Sequence, residues 1–419
     1  SVWSPGAHLQ QPGEMSRPCG LVLLTLLAGV AGLQTLRTAP IRRRCALRMN
    51  AEAAVSEWCL SSGREDAAIT ILEGQDTAQV LRDFWYVARA VGEAGVAGQR
   101  VVAFPQWAEA ASDPRKFQAV LNHIGICSET CEYLGESLMC SGRHPQAQAD
   151  DEPAAPYPML LLRSFTKPES LPDGMDADEL PWFYSDDDDD DPIGNLGLES
   201  DEPVGPPAND EEVLRATYEW VDAVIVHMKV CPFSSSTFKA GMPIGTVGYP
   251  LSRATTTEEL YQAFWQEVEN LRLVDERELA TVLLVAPEFA LHSAGGFDAF
   301  SDTLNNALST LGFEEHFQLV FFHPDYTFRD GQNRFGSESE GSAANFARRS
   351  PYPMVNLLRT PQVRAAQKGV PTGSVYTTNE GNLASVGPAE LQDMLERREW
   401  GGIYDGKFTK HNVDVIRGV

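Results

Sequence analysis

The chain has 419 residues, 43% of them hydrophobic, which is apolar material enough for more than one packed unit. Its formal net charge of −26 repels phosphate backbones and anionic lipid, and argues against nucleic acid as a partner. Seven cysteines are too few for a disulfide scaffold in a chain this long and fit a reducing compartment.

From Met15 onward, Arg17 precedes an apolar stretch from Leu21 to Leu33. That stretch is too short to cross a bilayer but suits the core of a signal peptide. Small residues follow at Ala28, Gly29, Ala31 and Gly32, then Arg37, Arg42, Arg43, Arg44 and Arg48, with no Asp or Glu between Met15 and Asn50. A signal-like segment followed by a transit-like one reads as a presequence over residues 1–50 addressed to a plastid bounded by extra membranes. A secretory signal and a mitochondrial address are the alternatives; the Leu-rich core is too hydrophobic for the amphipathic helix that the latter needs. Cys19 and Cys45 fall inside this presequence. No later segment is long enough to span a membrane, so the mature chain is expected to be soluble.

Residues 51–167 read as a small α+β region. Asp76 to Ala94 carries Val80, Leu81, Phe84, Trp85, Val87 and Ala88 at helical spacing, with Asp76 or Thr77 as cap. Arg100 to Phe104 predicts a short strand. Asp113-Pro114 opens a helix running through Leu121 toward Cys131, with proline in its first turn. Pro158 to Phe165 predicts a buried strand. Cys127-x3-Cys131 and Cys140-x3-His144 place soft ligands at repeated spacing, as Zn²⁺ favours. The spacing matches no zinc ribbon or finger, so buried thiols are the main reading, metal the minor one, and no cofactor is named. Pro156-Tyr157-Pro158-Met159 echoes Pro351-Tyr352-Pro353-Met354, and each follows a His-Pro pair, His144-Pro145 and His323-Pro324. One short match with an offset reads more simply as coincidence than as duplication.

Residues 168–208 read as an acidic, disordered linker, because Pro, Gly, Asp and Glu dominate and the run Asp186 to Asp191 repels itself. Trp182-Phe183-Tyr184 interrupts it, either by chance or as a docking element for a protein partner.

Residues 209–400 alternate more regularly. Asn209 or Asp210 caps a helix through Val213, Leu214, Tyr218, Val221, Val224 and Ile225. Thr256 and Thr257 precede a second helix, with Glu258 and Glu259 near its positive end. Thr281 to Ala286 and Phe317 to Phe322 are continuous apolar strands, separated by a helix from Phe297 to Leu311 that Gly312 ends. Pro353 to Ala366 and Pro388 to Arg398 read as further helices, and residues 401–419 as a tail. Apolar strands between helices predict an α/β domain built on a helix-covered mixed sheet, beside the α+β region.

Three polar clusters mark the ends of these elements. Pro232 stops the helix before Cys231, and the negative helix end disfavours a thiolate there. A functional Cys231 therefore needs a cation nearby, such as Lys229, Arg349 or a protonated His323; otherwise it is a small buried hydrophobe. His323, with Asp325 and Tyr326, follows a strand at the edge where ligands bind in covered sheets; the alternative is a structural histidine bonded to a loop. Arg349-Ser350-Pro351-Tyr352-Pro353 is a stiff turn suited to a carboxylate or phosphate, with Asn345 and Arg359 nearby and the Gly/Ser-rich stretch from Arg329 as a lid. The alternative is an arginine paired with a core carboxylate. Cys231, His323 and Tyr326 form the candidate catalytic set; Arg349, Ser350, Tyr352, Arg359 and Asn345 form the candidate binding set for a small anion. No Gly-rich phosphate loop, GxSxG elbow or HExxH helix occurs.

From Leu214 to Asn379 these clusters, with Trp220, Val230-Cys231-Pro232-Phe233, Ala280 to Val285 and Leu357-Leu358-Arg359, resemble the domain-of-unknown-function 1415 family. The resemblance implies a domain boundary and candidate residues, and no chemistry. It also implies Asn, Asn and His where this chain has Lys229, Arg348 and Asn356; if that His is a ligand or proton carrier in the family, an activity of its relatives is lost here. The expectation is that the clusters converge on one hollow, giving an anion or small-molecule site with thiol/His chemistry. The alternative is a non-catalytic plastid assembly factor or complex subunit docking through the acidic linker.

Overall fold

The computed structural model describes residues 46–146, 152–165, 208–231, 234–241, 244–328, 342–368 and 372–405. Residues 1–45 of the expected presequence, nearly all of the expected acidic linker, the stretch 329–341 expected as a lid and the tail from 406 lie outside them. Contacts divide the chain into Ser1–Ala53 and Ala54–Val419. Residues 46–61 form helix α1; the account below concerns the larger segment. Among the described residues no helix is long and apolar enough to cross a membrane.

The first sheet is built by β1 (Ala68–Ile71), α2 (Thr77–Ala94), β2 (Gly98–Ala103), α3 (Ala108–Ser112), α4 (Pro114–Cys127), β3 (Leu138–Arg143) and β4 (Met159–Ser164). Asp76 caps α2 by accepting the amides of Ala78 and Gln79, and Gly95 ends it at φ 59, a left-handed conformation that glycine adopts without strain. The helix expected to run toward Cys131 stops at Cys127. The strand order is β1-β2-β4-β3, with β1 parallel to β2 and β4 antiparallel to both neighbours.

The second sheet follows α5 (Asp210–Trp220) and comprises β5 (Ser234–Ser236), β6 (Lys239–Gly241), β7 (Ile244–Gly248), α6 (Thr257–Leu273), β8 (Thr281–Val285), α7 (Ala294–Thr310), β9 (Phe317–Phe322) and β10 (Met354–Arg359). Helices α8 (Thr360–Gln367), α9 (Thr372–Val386) and α10 (Pro388–Arg397) complete it. The segment from Pro353 read as one helix is therefore a strand first. Met354 packs on one face of the sheet and Val355 and Leu357 on the other, and the helix begins only where Pro361 stands in its first turn. The mixed sheet covered by helices is the expected α/β arrangement.

Within the six-stranded order β5-β6-β7-β8-β10-β9, the last four strands repeat the first sheet, with β7 parallel to β8 and β10 antiparallel to both neighbours. Single bonds repeat as well. The amides of Leu72 and Ser252 donate to Ala103 and Val285, and those of Phe104 and Ala286 donate to Pro158 and Pro353. Phe84-Trp85 of α2 recurs as Phe264-Trp265 of α6. The echo read as coincidence is thus one visible piece of a unit present twice; too few residues survive in common for sequence alone to show it.

Helices of the two repeats share one core. α2 packs along α6, Trp85 stacks on Tyr261 at 4.6 Å, and His123 approaches Trp265 at 6.0 Å. The hydroxyls of Thr130 and Thr303 meet that of Tyr261 at 3.0 and 2.5 Å. The buried Glu258 carboxylate accepts the amides of Glu132, Tyr133 and Leu134 at 2.8 to 3.2 Å, so a charge from one repeat satisfies a loop of the other. In the second sheet, Val282, Leu284, Val355 and Leu357 face this shared core, while Leu283, Val285, Phe322 and Met354 face a second cluster around Trp220.

Candidate functional site

Helix α5 widens into a π-helical stretch, Val221–His227, and leaves it through Lys229, a non-glycine residue at φ 61. Such widenings occur often at functional sites. The Cys231 amide turns back to donate to Ile225 at 3.2 Å. From α9, Asn382 and Asn379 donate to the carbonyls of Met228 and Val230 at 2.8 Å each, clamping this exit. Cys231 is thereby held half-buried against a cavity of about 310 Å³.

The cavity lies on the outer face of the second sheet. Asn356 of β10 sits in register between Leu283 of β8 and Val320 of β9, and together they line it. Trp220, Val221 and Ile225 contribute from the helix, with the β5–β6 hairpin, α8 and α9 closing the remainder. Most of this lining is apolar, and no carboxylate belongs to it among the described residues.

Ser234, Ser236, Thr237, Tyr249, Gln362 and Gln367 contribute polar groups, as do Thr281, Arg348, Asn356, Arg359 and Asn379. Thr281 donates to the Leu357 carbonyl at 2.6 Å, and its hydroxyl stands 2.8 Å from the Asn356 side-chain amide. Arg348 donates to the Phe321 carbonyl at 3.3 Å and lies over the rings of Phe322 and Tyr326 at 5.8 and 5.7 Å. It forms no ion pair among the described residues. Arg359 also borders the cavity, but its guanidinium is committed to the carbonyls of Val274 and Leu279 at 2.8 to 3.3 Å. Burial holds the Arg359 pKa below its ordinary value.

The other expected site residues stand elsewhere. His323 is buried on the opposite face of the sheet, since the alternation of β9 sends Phe322 toward Trp220 and Phe321 toward Phe297 of α7. His323 packs on Phe297 at 5.3 Å, donates from Nε2 to the Ala290 carbonyl at 2.9 Å and accepts the Asp325 amide on Nδ1 at 3.1 Å. Both nitrogens are engaged, and burial lowers the pKa, so the ring is neutral. The expected single hollow therefore divides: Cys231 and Arg348 line one side of the sheet, whereas His323, Tyr326 and Arg349 border another hollow beside α7, together with Asp298 and Asp302.

Arg349 donates to the Tyr326 carbonyl at 3.0 Å and to Gln392 at 3.2 Å, and stacks over Phe346. Ser350 is fully buried and donates to the Tyr352 carbonyl at 2.6 Å. Tyr352 is buried beneath the Arg398 guanidinium, 4.5 Å from its ring, and burial raises its pKa. Asn345 accepts the Phe328 amide on Oδ1 at 3.2 Å. These side chains brace the turn before β10.

In the first repeat, His144 bonds through Nε2 to the Ala110 carbonyl at 2.6 Å and accepts the Gln146 amide at 3.1 Å, 5.4 Å from Phe117. It repeats His323 bond for bond. Burial pushes the thiols of Cys127 and Cys140 up to about 12 and that of Cys131 well above its ordinary value. Among the described residues no group of three or more ligating side chains assembles.

Arg348, Asn356 and Asn379 are among the lining residues that sequence reasoning passed over as site groups. Asn356 had a signal, a lone polar residue in the apolar run from Met354 to Leu358, and it occupies the place where the resemblance implies histidine. Arg348 was hidden by its neighbour Arg349, and nothing local distinguishes Asn379. No curated protein and no solved structure matches the chain. Residues 212–393, in the C-terminal half, contain the cavity, exclude the first repeat and match the family model described as protein of unknown function (DUF1415).

Proposed function

We propose that the second repeat binds a small, mainly apolar molecule through an anionic or carbonyl end, and that Cys231 lines the site without a histidine partner. The observation that carries this reading is the cavity of about 310 Å³, in the size range of small-molecule sites, where Arg348 is held by aromatic rings and a carbonyl rather than by a carboxylate. An uncompensated guanidinium beside apolar walls favours a ligand with a negative or strongly polarised end. The separation of His323 from Cys231 removes the support for a thiol/His reaction. The presequence over residues 1–50 supports delivery to a plastid, where such a protein would act in solution.

Anilinonaphthalene sulfonate is the first probe. The full chain is expected to bind it with a rise in fluorescence, and octanoate is expected to displace it. Arg348→Met should weaken octanoate roughly tenfold or more, the worth of a charge-assisted bond. Leu283→Trp, which fills the cavity, should abolish both. Octanoate affinity unchanged in the two variants would overturn the proposal.

A further inference from the structure

We infer that the outer face of the first sheet is a docking surface whose occupant is this chain's own segment Trp182-Phe183-Tyr184. The face belongs to the repeat that the proposed ligand site does not use. On β4, Leu160 and Leu162 face the shared core, so Leu161 and Arg163 face outward. Register sets Gln99 and Met139 on either side of Arg163, and Val101 and Ser141 on either side of Leu161. Gln99, Met139, Ser141 and Arg163 are exposed, Met139 to 44%. Their counterparts in the second sheet are Thr281, Gln318, Val320 and Leu358, all buried or half-buried. There the chain that follows β10 forms α8 and α9, and both border the same face.

The chain that follows β4 supplies the matching cover. Counted from Met159, Trp182, Phe183 and Tyr184 are the 23rd to 25th residues on. The same interval leads from Met354 to Thr377, Thr378 and Asn379 of α9. Thr378 and Asn379 are buried, and Asn379 lines the cavity. The triplet lies outside the described residues, and residues 168–207 hold no other aromatic side chain. Residues 166–181 reach roughly 50 Å when extended, enough to double back along β4. Charge points the same way. Arg163 forms no ion pair among the described residues, and the run Asp186 to Asp191 follows the triplet after one serine. Aromatic rings laid on Met139 and Leu161 would bury apolar surface, with the Arg163 guanidinium at hand for a ring face or a carboxylate. Attachment at both ends keeps the segment at high effective concentration, so a contact of modest strength suffices.

The test reads Met139 in the full chain. Hydrogen peroxide transfers one oxygen to an accessible thioether, giving the sulfoxide and water, and peptide mass spectrometry follows the rate. Trp182→Ala, Phe183→Ala and Tyr184→Ala together are expected to speed oxidation of Met139 about threefold or more. These substitutions lie outside both sheets, so the comparison does not hang on a weakened fold. Arg163→Glu should speed it about twofold, the worth of an exposed ion pair. A benzophenone side chain replacing Met139 should capture the triplet of the same copy under light. The same probe replacing Leu273, 72% exposed at the end of α6, should not. Equal oxidation rates in wild type and the alanine variant overturn the inference, as does equal capture from Leu273. Capture of a second copy, or of another protein in place of the triplet, overturns it as well. Each of these results leaves the proposed ligand site standing.

Discussion

The two repeats differ in what they add to a common frame. Both hold a His-Pro pair at the end of an edge strand, both bond its imidazole to a loop carbonyl and a following amide, and both press it on a phenylalanine. Only the second inserts a β5–β6 hairpin between its outer helix and the repeated sheet; in the first, residues 62–67 suffice for that connection. Before the shared Pro-Tyr-Pro-Met, the first repeat has Pro153, Ala154 and Ala155 where the second has Arg348, Arg349 and Ser350. What both copies keep is therefore the work of folding, and what one copy adds borders the proposed binding site. A polar residue common to both, such as His323, is a poor candidate for chemistry even when buried in a conspicuous motif.

Three experiments break or sharpen that contrast. The largest effect is expected at the shared core. Trp85→Ala removes a ring stacked on Tyr261 of the other repeat and should cost about 3–5 kcal/mol. Urea unfolding followed by fluorescence and circular dichroism should still show one transition; a second repeat that keeps its own midpoint would show that the copies fold separately. Acid comes next. His123 lies at that same interface, and burial lowers its pKa from 6.5 to about 4. The unfolded chain takes up the proton first, so this contribution is intact above pH 6.5 and is lost as pH falls toward 4, by up to about 3 kcal/mol. The urea midpoint should drop over that window in the wild type and less steeply in His123→Leu. Equal slopes would remove the histidine from the account. Smallest and sharpest is the paired substitution His144→Phe and His323→Phe. Each leaves a buried carbonyl and an amide unpaired and should cost about 1–3 kcal/mol. Neither should alter octanoate affinity. Loss of binding in His323→Phe alone, with the melting temperature matched to His144→Phe, would restore a functional role to His323.

Much of this frame was legible from residues. The caps Asp76 and Thr256, the apolar periodicity of α2 and α6, and the uninterrupted strands β8 and β9 followed from local rules. Strand β10 was misread because Pro353 suggested a helix start, while its partners β8 and β9 lie far away in sequence. The site was misassembled for a related reason. Neighbours along a strand or stiff turn face opposite ways, so Phe322 and His323, or Arg348 and Arg349, serve different surfaces although they adjoin in the chain. The cavity needs α9, the π-helical exit and β10 together, a meeting that no short window records.

The residues matching the family model begin at 212, so cutting the chain there would strip α6 of the partner against which Tyr261 and Trp265 pack. A fragment made that way would expose an aromatic stripe built for a neighbour of its own kind. Its most natural replacement is a twin of itself, bound across the same seam.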